Sequence, residues 1–149
     1  DFCHLAPPWS NGTQVKFMVV YPLPWWGIQT SATYQSLPGP TITASRVYTN
    51  AEVRPSLGRD LSSGVNGTVT VPLIAPGTMF NDRMNQVDFR VSKIFRLPGN
   101  RRVQANLDLF NAINASSVLN QNNTYGPSWL RPTTIIQGRL LKFGGQFDF

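Results

Sequence analysis

The last eleven residues of the chain, 139–149, alternate between apolar and mostly polar side chains up to the final residue. The odd positions carry Leu141, Phe143, Gly145, Phe147 and Phe149, whereas the even positions carry Leu140, Lys142, Gly144, Gln146 and Asp148. Because successive side chains of a strand point to opposite faces, this segment is predicted to form a β-strand with one apolar face. Chain ends usually fray with small polar residues, so an apolar face that reaches the last residue is unusual for a soluble domain.

Four further segments repeat the two-residue period, and no segment shows a convincing helical pattern. The alternating segments are residues 13–23, 27–35, 86–96 and 102–113. The first pair is separated by a breaker that contains Trp25, Trp26 and Gly27, and the second pair by a turn at Pro98-Gly99. The period slips near Phe110-Asn111, where a bulge is expected. The sequence therefore predicts an all-β domain over residues 1–149, with about five antiparallel up-and-down strands.

The connections between these strands alternate between short and long. Residues 37–84 and 114–132 form the long ones, and a weak alternation at 68–73 predicts a short strand within the first. Outer-membrane barrels have short periplasmic turns and long external loops. If the C-terminus is periplasmic, every long connection falls outside and every short one inside. This parity predicts that the five strands belong to a transmembrane β-barrel in the bacterial outer membrane.

Composition agrees with that interpretation. Only 13% of the residues are charged, against roughly 25% in an ordinary soluble domain. No apolar run approaches the ~18 residues of a transmembrane helix. A soluble antiparallel sheet with one wet face gives the same alternation, and it remains the simpler alternative.

A barrel assigns a role to each face of the strands. The residues predicted to face a polar lumen include Asp88, Arg90, Asn106, Asp108, Lys142 and Gln146. Tyr21, Trp25 and Trp26 are predicted to lie at the membrane interface, where amphipathic rings collect. Lys93 is the charged exception on the predicted lipid face, and it lies close enough to the short turn to reach the interface.

Other classes of function find little support in the sequence. Cys3 is the only cysteine and is expected to be a free thiol or one that has lost its partner, and His4 beside it is the only histidine. No metal-ligand spacing, phosphate loop, catalytic triad or carboxylate pair is present, so no metal, cofactor or enzymatic activity is expected. The net charge of +6 comes from scattered residues. Since nucleic-acid surfaces concentrate basic residues on one face, no nucleic-acid partner is expected.

Four segments resemble a known family: residues 35–40, 55–60, 107–114 and 123–127, which read QSLPGP, PSLGRD, LDLFNAIN and NTYGP. They are similar to the C-terminal barrel region of TonB-dependent receptors. The likeness is strongest to the Oar-like type with a carboxypeptidase-regulatory-like N-terminal domain, common in acidobacteria. The resemblance implies energised import of a bulky nutrient, with outer-membrane lipid and the barrel-assembly machinery as partners. It also implies that Phe143, Phe147 and Phe149 belong to the strand that this machinery reads.

The strand count limits what this chain can do alone. Receptors of this class have barrels of about 22 strands, and even the smallest barrels have about 8. Five strands leave two open edges, whose unpaired backbone groups cannot face lipid. The chain is therefore expected to be the C-terminal segment of a longer receptor. The alternative is a self-assembling β-rich protein whose open edges pair with further copies in oligomers or fibres.

Overall fold

The computed structural model describes His4 and residues 6–149, so Cys3 lies outside the described residues. The chain is all-β, with 51% of its residues in strands and 8% in helices. In chain order the elements are α1 (Trp9–Gly12), β1 (Val15–Pro22), β2 (Ile28–Leu37), β3 (Thr41–Ile42), β4 (Ser45–Thr49), α2 (Asn50–Leu57), β5 (Thr68–Pro72), β6 (Met79–Phe80), β7 (Met84–Leu97), β8 (Arg101–Phe110), β9 (Val118–Gln121), β10 (Pro132–Ile135) and β11 (Leu140–Asp148). No helix in the described part is long and apolar enough to cross a membrane.

The principal sheet has five antiparallel strands in the order β1-β2-β7-β8-β11. These strands correspond to the five alternating segments of the sequence, and they run up and down in chain order, as predicted. The described residues show no closed barrel. Neither β1 nor β11 pairs on its outer side with another strand of the described part. The sheet therefore has two open edges.

The register aligns the apolar positions of all five strands on one face, which we call the apolar face. Val19, Ala32, Phe89, Leu109 and Leu141 form one row across the sheet. The next row contains Tyr21, Thr30, Val91, Leu107 and Phe143. Rows nearer the short turns include Lys93 with Ala105 and Gly145, and Phe95 with Val103 and Phe147. A slip of one residue in any strand would interrupt these rows.

The first short turn joins β1 to β2 and depends on Gly27. Gly27 adopts a φ of +63°, and its carbonyl accepts a 2.9 Å hydrogen bond from the backbone N–H of Ile94. A Cβ at this position would lie 2.8 Å from the Ile94 carbonyl oxygen. This turn and the one at 98–100 lie at the same end of the sheet, which we call the short-turn end.

Gly27→Ala is expected to destabilise the fold by about 1–2 kcal/mol, the cost of a left-handed conformation for a residue with a Cβ. The measurement is the midpoint of urea unfolding in detergent micelles. Gly144→Ala is the control, because a Cβ on Gly144 in β11 would meet no atom within 4 Å. A variant of Gly27 that unfolds at the same urea concentration as the control would contradict this role.

The long connections form an ordered layer at the opposite end of the sheet. This loop layer, residues 38–83 and 111–139, contains the hairpins β4–β5 and β9–β10 and the pair β3–β6. The predicted strand at 68–73 is confirmed as β5. The prediction for the second connection, a polar loop over 114–132, is wrong. This connection contains the hairpin β9–β10 and extends to residue 139. Buried apolar side chains in the described part are Ile42, Ala44 and Ile136, all within this layer.

Two further predictions from the sequence are wrong. The described residues contain two helices, and α2 was missed because only its first residue, Asn50, is buried, so it has no apolar stripe. Its ends are nevertheless marked, by Thr49 and Glu52 at the start and by Gly58 in a left-handed conformation at the end. The slip at Phe110-Asn111 is not a bulge. Instead β8 ends at Phe110, and Asn111 turns the chain with a φ of 49°.

Candidate functional site

The apolar face of the sheet is exposed although it carries the largest hydrophobic side chains. Phe17 is 61% exposed, Phe89 47% and Phe143 75%. A soluble sheet ordinarily buries this face against a second layer. Contiguous exposed apolar patches of this kind mark contact with a membrane or another protein.

The opposite face, which we call the polar face, is more closely hydrogen-bonded. Asp108 is only 3% exposed and forms a bidentate pair with Arg90, in which Nη2 lies 3.1 Å from Oδ2. Register places Lys142 on the other side of Asp108. The row therefore runs cation, anion, cation across β7, β8 and β11.

Neighbouring rows of the polar face continue this pattern. Ser92 donates a 2.7 Å hydrogen bond to the Oδ1 of Asn106, and Gln104 donates to the same oxygen at 2.8 Å. Asp148 accepts from Arg102 and from Gln146. All six residues predicted to face a lumen lie on this face, whereas β1 contributes the apolar Met18 and Val20 to it. The face can bind polar solutes through amides, carboxylates and cations.

The predicted interface aromatics lie together at the short-turn end. Trp25 and Trp26 occupy the β1–β2 turn and are 64% and 79% exposed, and Tyr21 is the penultimate residue of β1. Phe149 follows the end of β11 and stacks on Phe147 at a ring distance of 5.9 Å. Exposed aromatic rings therefore gather at one rim of the apolar face.

The two long connections bind to each other in the loop layer. Ser45 of β4 accepts a 2.9 Å hydrogen bond from the N–H of Tyr125 and donates one of 3.2 Å to the carbonyl of Asn123. The indole of Trp129 donates to the carbonyl of Thr43 at 2.9 Å. A cavity of about 210 Å³ lies between the connections, lined by Asn81, Asp82, Ser116, Ser117 and Val118. Any ligand held there would contact both connections.

Two residues of structural importance were missed in the sequence. Asn111 is 2% exposed, and its side chain bonds the backbone of Ala115 and Gln137, which joins the end of β8 to the approach to β11. The slip in the two-residue period at this position was the available signal. Arg83 donates to the carbonyls of Ser10, Thr13 and Ser36 and so holds the segment before β1 against β2. No local pattern indicates that role.

The described residues contain no group of three or more His, Cys, Asp or Glu side chains placed to hold a metal ion. His4 is exposed. Comparison with protein-family models, with characterised proteins and with solved structures found no match.

The cap of α2 is expected to weaken in acid. The backbone N–H and hydroxyl of Thr49, together with Arg46, hold the pKa of the Glu52 carboxyl below its usual value of 4.5. A lowered pKa in the folded state stabilises α2 above the unfolded pKa, and this stabilisation is lost as the pH falls through the folded value. Hydrogen exchange of the α2 amides, corrected for intrinsic rates, should therefore accelerate below about pH 4.5. Glu52→Gln should exchange independently of pH over the same range after correction for intrinsic rates, and an equally steep profile in that variant would contradict the assignment.

Proposed function

We propose that the chain is the C-terminal portion of an outer-membrane β-barrel of the TonB-dependent receptor type, which takes up a bulky nutrient. The observation that carries the proposal is the distribution of the two faces. The large apolar side chains are exposed, whereas Asp108 and Ser92 of the polar face are each 3% exposed and hydrogen-bonded. This arrangement is expected if the apolar face contacts lipid and not water.

Strand lengths support the same placement. The principal strands contain 8, 10, 14, 10 and 9 residues, and a tilted transmembrane strand needs about 9–11. The aromatic rim at the short-turn end matches the girdles found at membrane interfaces. The receptor type rests on the four sequence segments that resemble the family. One of them, residues 107–114, forms the end of β8 and the Asn111 turn.

The substrate would bind in the loop layer and on the polar face. Both long connections supply groups to the cavity around Asn81 and Ser117. A second cavity of about 200 Å³ on the polar face is lined by residues that include Asp88, Arg90 and Asp108. These surfaces offer a bulky polar nutrient hydrogen-bond donors and acceptors of both charges.

The proposal is tested by the environment of alternate residues along β8. Single cysteines at Leu107 and Gln104, in a Cys3→Ser background, are introduced into the chain as part of the product of its complete reading frame, and they are labelled with an environment-sensitive fluorophore after reconstitution into phosphatidylcholine vesicles. We expect brominated lipid to quench the label at 107 and aqueous iodide to quench the label at 104. Quenching of both positions by iodide alone would contradict membrane insertion.

Self-assembly through the open edges is the second candidate. The outer sides of β1 and β11 leave ladder groups unpaired in the described part, and such edges template further pairing. In an antiparallel sheet of five strands, however, β1 and β11 run in the same direction. Copies that share one membrane orientation could join β11 to β1 only by parallel pairing, whereas membrane barrels are antiparallel. If the sheet is part of an antiparallel barrel, an odd number of other strands must therefore lie between β11 and β1 to close it.

The two candidates differ in buffer without lipid. Edge pairing between copies is expected to produce ordered oligomers or fibres visible by negative-stain microscopy. If such assemblies form and the chain then fails to enter vesicles, the self-assembling function is favoured over the receptor segment.

A further inference from the structure

In the rows that form the apolar face of the described sheet, Arg101 pairs with Leu97 beside the turn, and Lys93 is the only other charged side chain. It pairs with Ile28 on β2 and with Ala105 on β8, and neither neighbour can neutralise it. A cation on a lipid-facing surface is costly at the bilayer centre and tolerated near the interface. Its position four residues before the end of β7 places it near the short-turn end.

The contacts of Lys93 direct its ammonium towards the Trp turn. Nζ donates a hydrogen bond to the carbonyl of Trp26, and it lies 6.0 Å from the centre of the Trp26 ring and 5.6 Å from that of Phe95. Trp26 is held at a φ of 57°, beside Gly27. An ammonium has three N–H donors, and the carbonyl of Trp26 takes one of them.

We propose that Lys93 and Trp26 form a binding site for the phosphate of a phospholipid headgroup at the short-turn rim. This inference rests on the proposed membrane placement and adds the ligand chemistry of one site. The ammonium supplies charge-assisted hydrogen bonds to the phosphate oxygens, and the exposed indole packs on the glycerol region. Val91 and Leu107, one row further from the short turns, provide the apolar surface for the first part of the acyl chain.

The site is tested by comparing a bilayer that carries phosphate with one that does not. Partition of the chain, as part of the product of its complete reading frame, is measured into vesicles of phosphatidylcholine and of digalactosyldiacylglycerol, whose headgroup is uncharged sugar. We expect the chain to prefer phosphatidylcholine by about fivefold, the factor that corresponds to ~1 kcal/mol for one net hydrogen bond to the phosphate. Lys93→Gln should remove this preference, and Lys93→Arg should retain it.

Arg96→Gln is the matched control, because it removes the same charge from an exposed position on the polar face of β7, close to the same turn. It is expected to leave the preference for phosphatidylcholine unchanged. A preference that survives Lys93→Gln, or that disappears equally in Arg96→Gln, would overturn the site. Loss of the preference on addition of inorganic phosphate would assign the site to free phosphate and would also overturn it.

The outcomes separate this inference from the function on which it rests. If the chain enters both kinds of vesicle equally well, membrane insertion stands and the phosphate site is wrong. If the chain enters neither, the proposed membrane placement fails. Circular dichroism of each variant in micelles establishes that the substitution has left the β-sheet content intact.

Discussion

Leu107→Arg is expected to reduce the stability of the membrane-inserted chain by about 2–4 kcal/mol, the cost of a basic side chain near the bilayer midplane. Leu107 is 38% exposed on the apolar face and pairs with Val91, the central apolar-face residue of β7. The new guanidinium would have to leave water without a partner. Urea unfolding in phosphatidylcholine vesicles gives the change in free energy, and flotation gives the fraction of the chain that stays with lipid.

Gln104→Arg is the control for Leu107→Arg, because it introduces the same charge on the polar face of the same strand. It should leave flotation nearly unchanged, since the polar face is expected to contact water. If the sheet is soluble and its apolar face contacts water, Leu107→Arg is not expected to be the more damaging of the two variants. A charge in place of an exposed leucine would then raise solubility and leave stability within about 0.5 kcal/mol. Equal flotation of the two variants would therefore contradict the membrane assignment of the apolar face.

The strands of the principal sheet were predictable because their pattern is local. Each strand repeats its apolar positions every two residues, and the breakers at Pro24 and Pro98-Gly99 mark the short turns. The pairs β1–β2 and β7–β8 followed from their short connections, which leave little room for any arrangement other than neighbouring antiparallel strands. The same two-residue period predicted that Asp108 and Phe143 lie on opposite faces of the sheet.

The loop layer was not predictable, because its contacts join residues that are distant in the sequence. Trp129 bonds Thr43 across 86 positions, and Asn81 bonds Gln121 across 40. The secondary-structure propensities of neighbouring residues do not predict such pairs. The helix α2 is a different case, since Thr49, Glu52 and Gly58 cap its ends but no apolar stripe lies between them, and the sequence analysis did not identify it.

The number of strands in the principal sheet restricts which strands can pair with its open edges. An odd number of antiparallel strands gives β1 and β11 the same direction, so the two edges cannot pair in antiparallel fashion within one membrane orientation. The sequence alone suggested open edges without this constraint on the partner. Closure by an odd set of strands brings the total to an even number, as in bacterial single-chain barrels.

The second large effect is expected for Asn111→Ala, which should destabilise the chain by about 2–4 kcal/mol. The amide of Asn111 donates to the carbonyls of Ala115 and Gln137 at 2.9 and 2.8 Å, and its oxygen accepts from the N–H of Ala115 at 2.8 Å. Its own N–H donates to Asp88 at 2.8 Å. Truncation leaves three backbone groups without their partner at a site that is 2% exposed.

Asn100→Ala separates the hydrogen bonds of Asn111 from its backbone conformation. Asn100 has a similar left-handed φ, 63° against 49°, but lies exposed in the β7–β8 turn. Its replacement should cost only the left-handed strain, about 1 kcal/mol. Urea unfolding of both variants in the same micelles measures the difference. If Asn111→Ala loses no more stability than Asn100→Ala, the buried amide does not join β8 to β11, because the backbone strain alone would then explain both results.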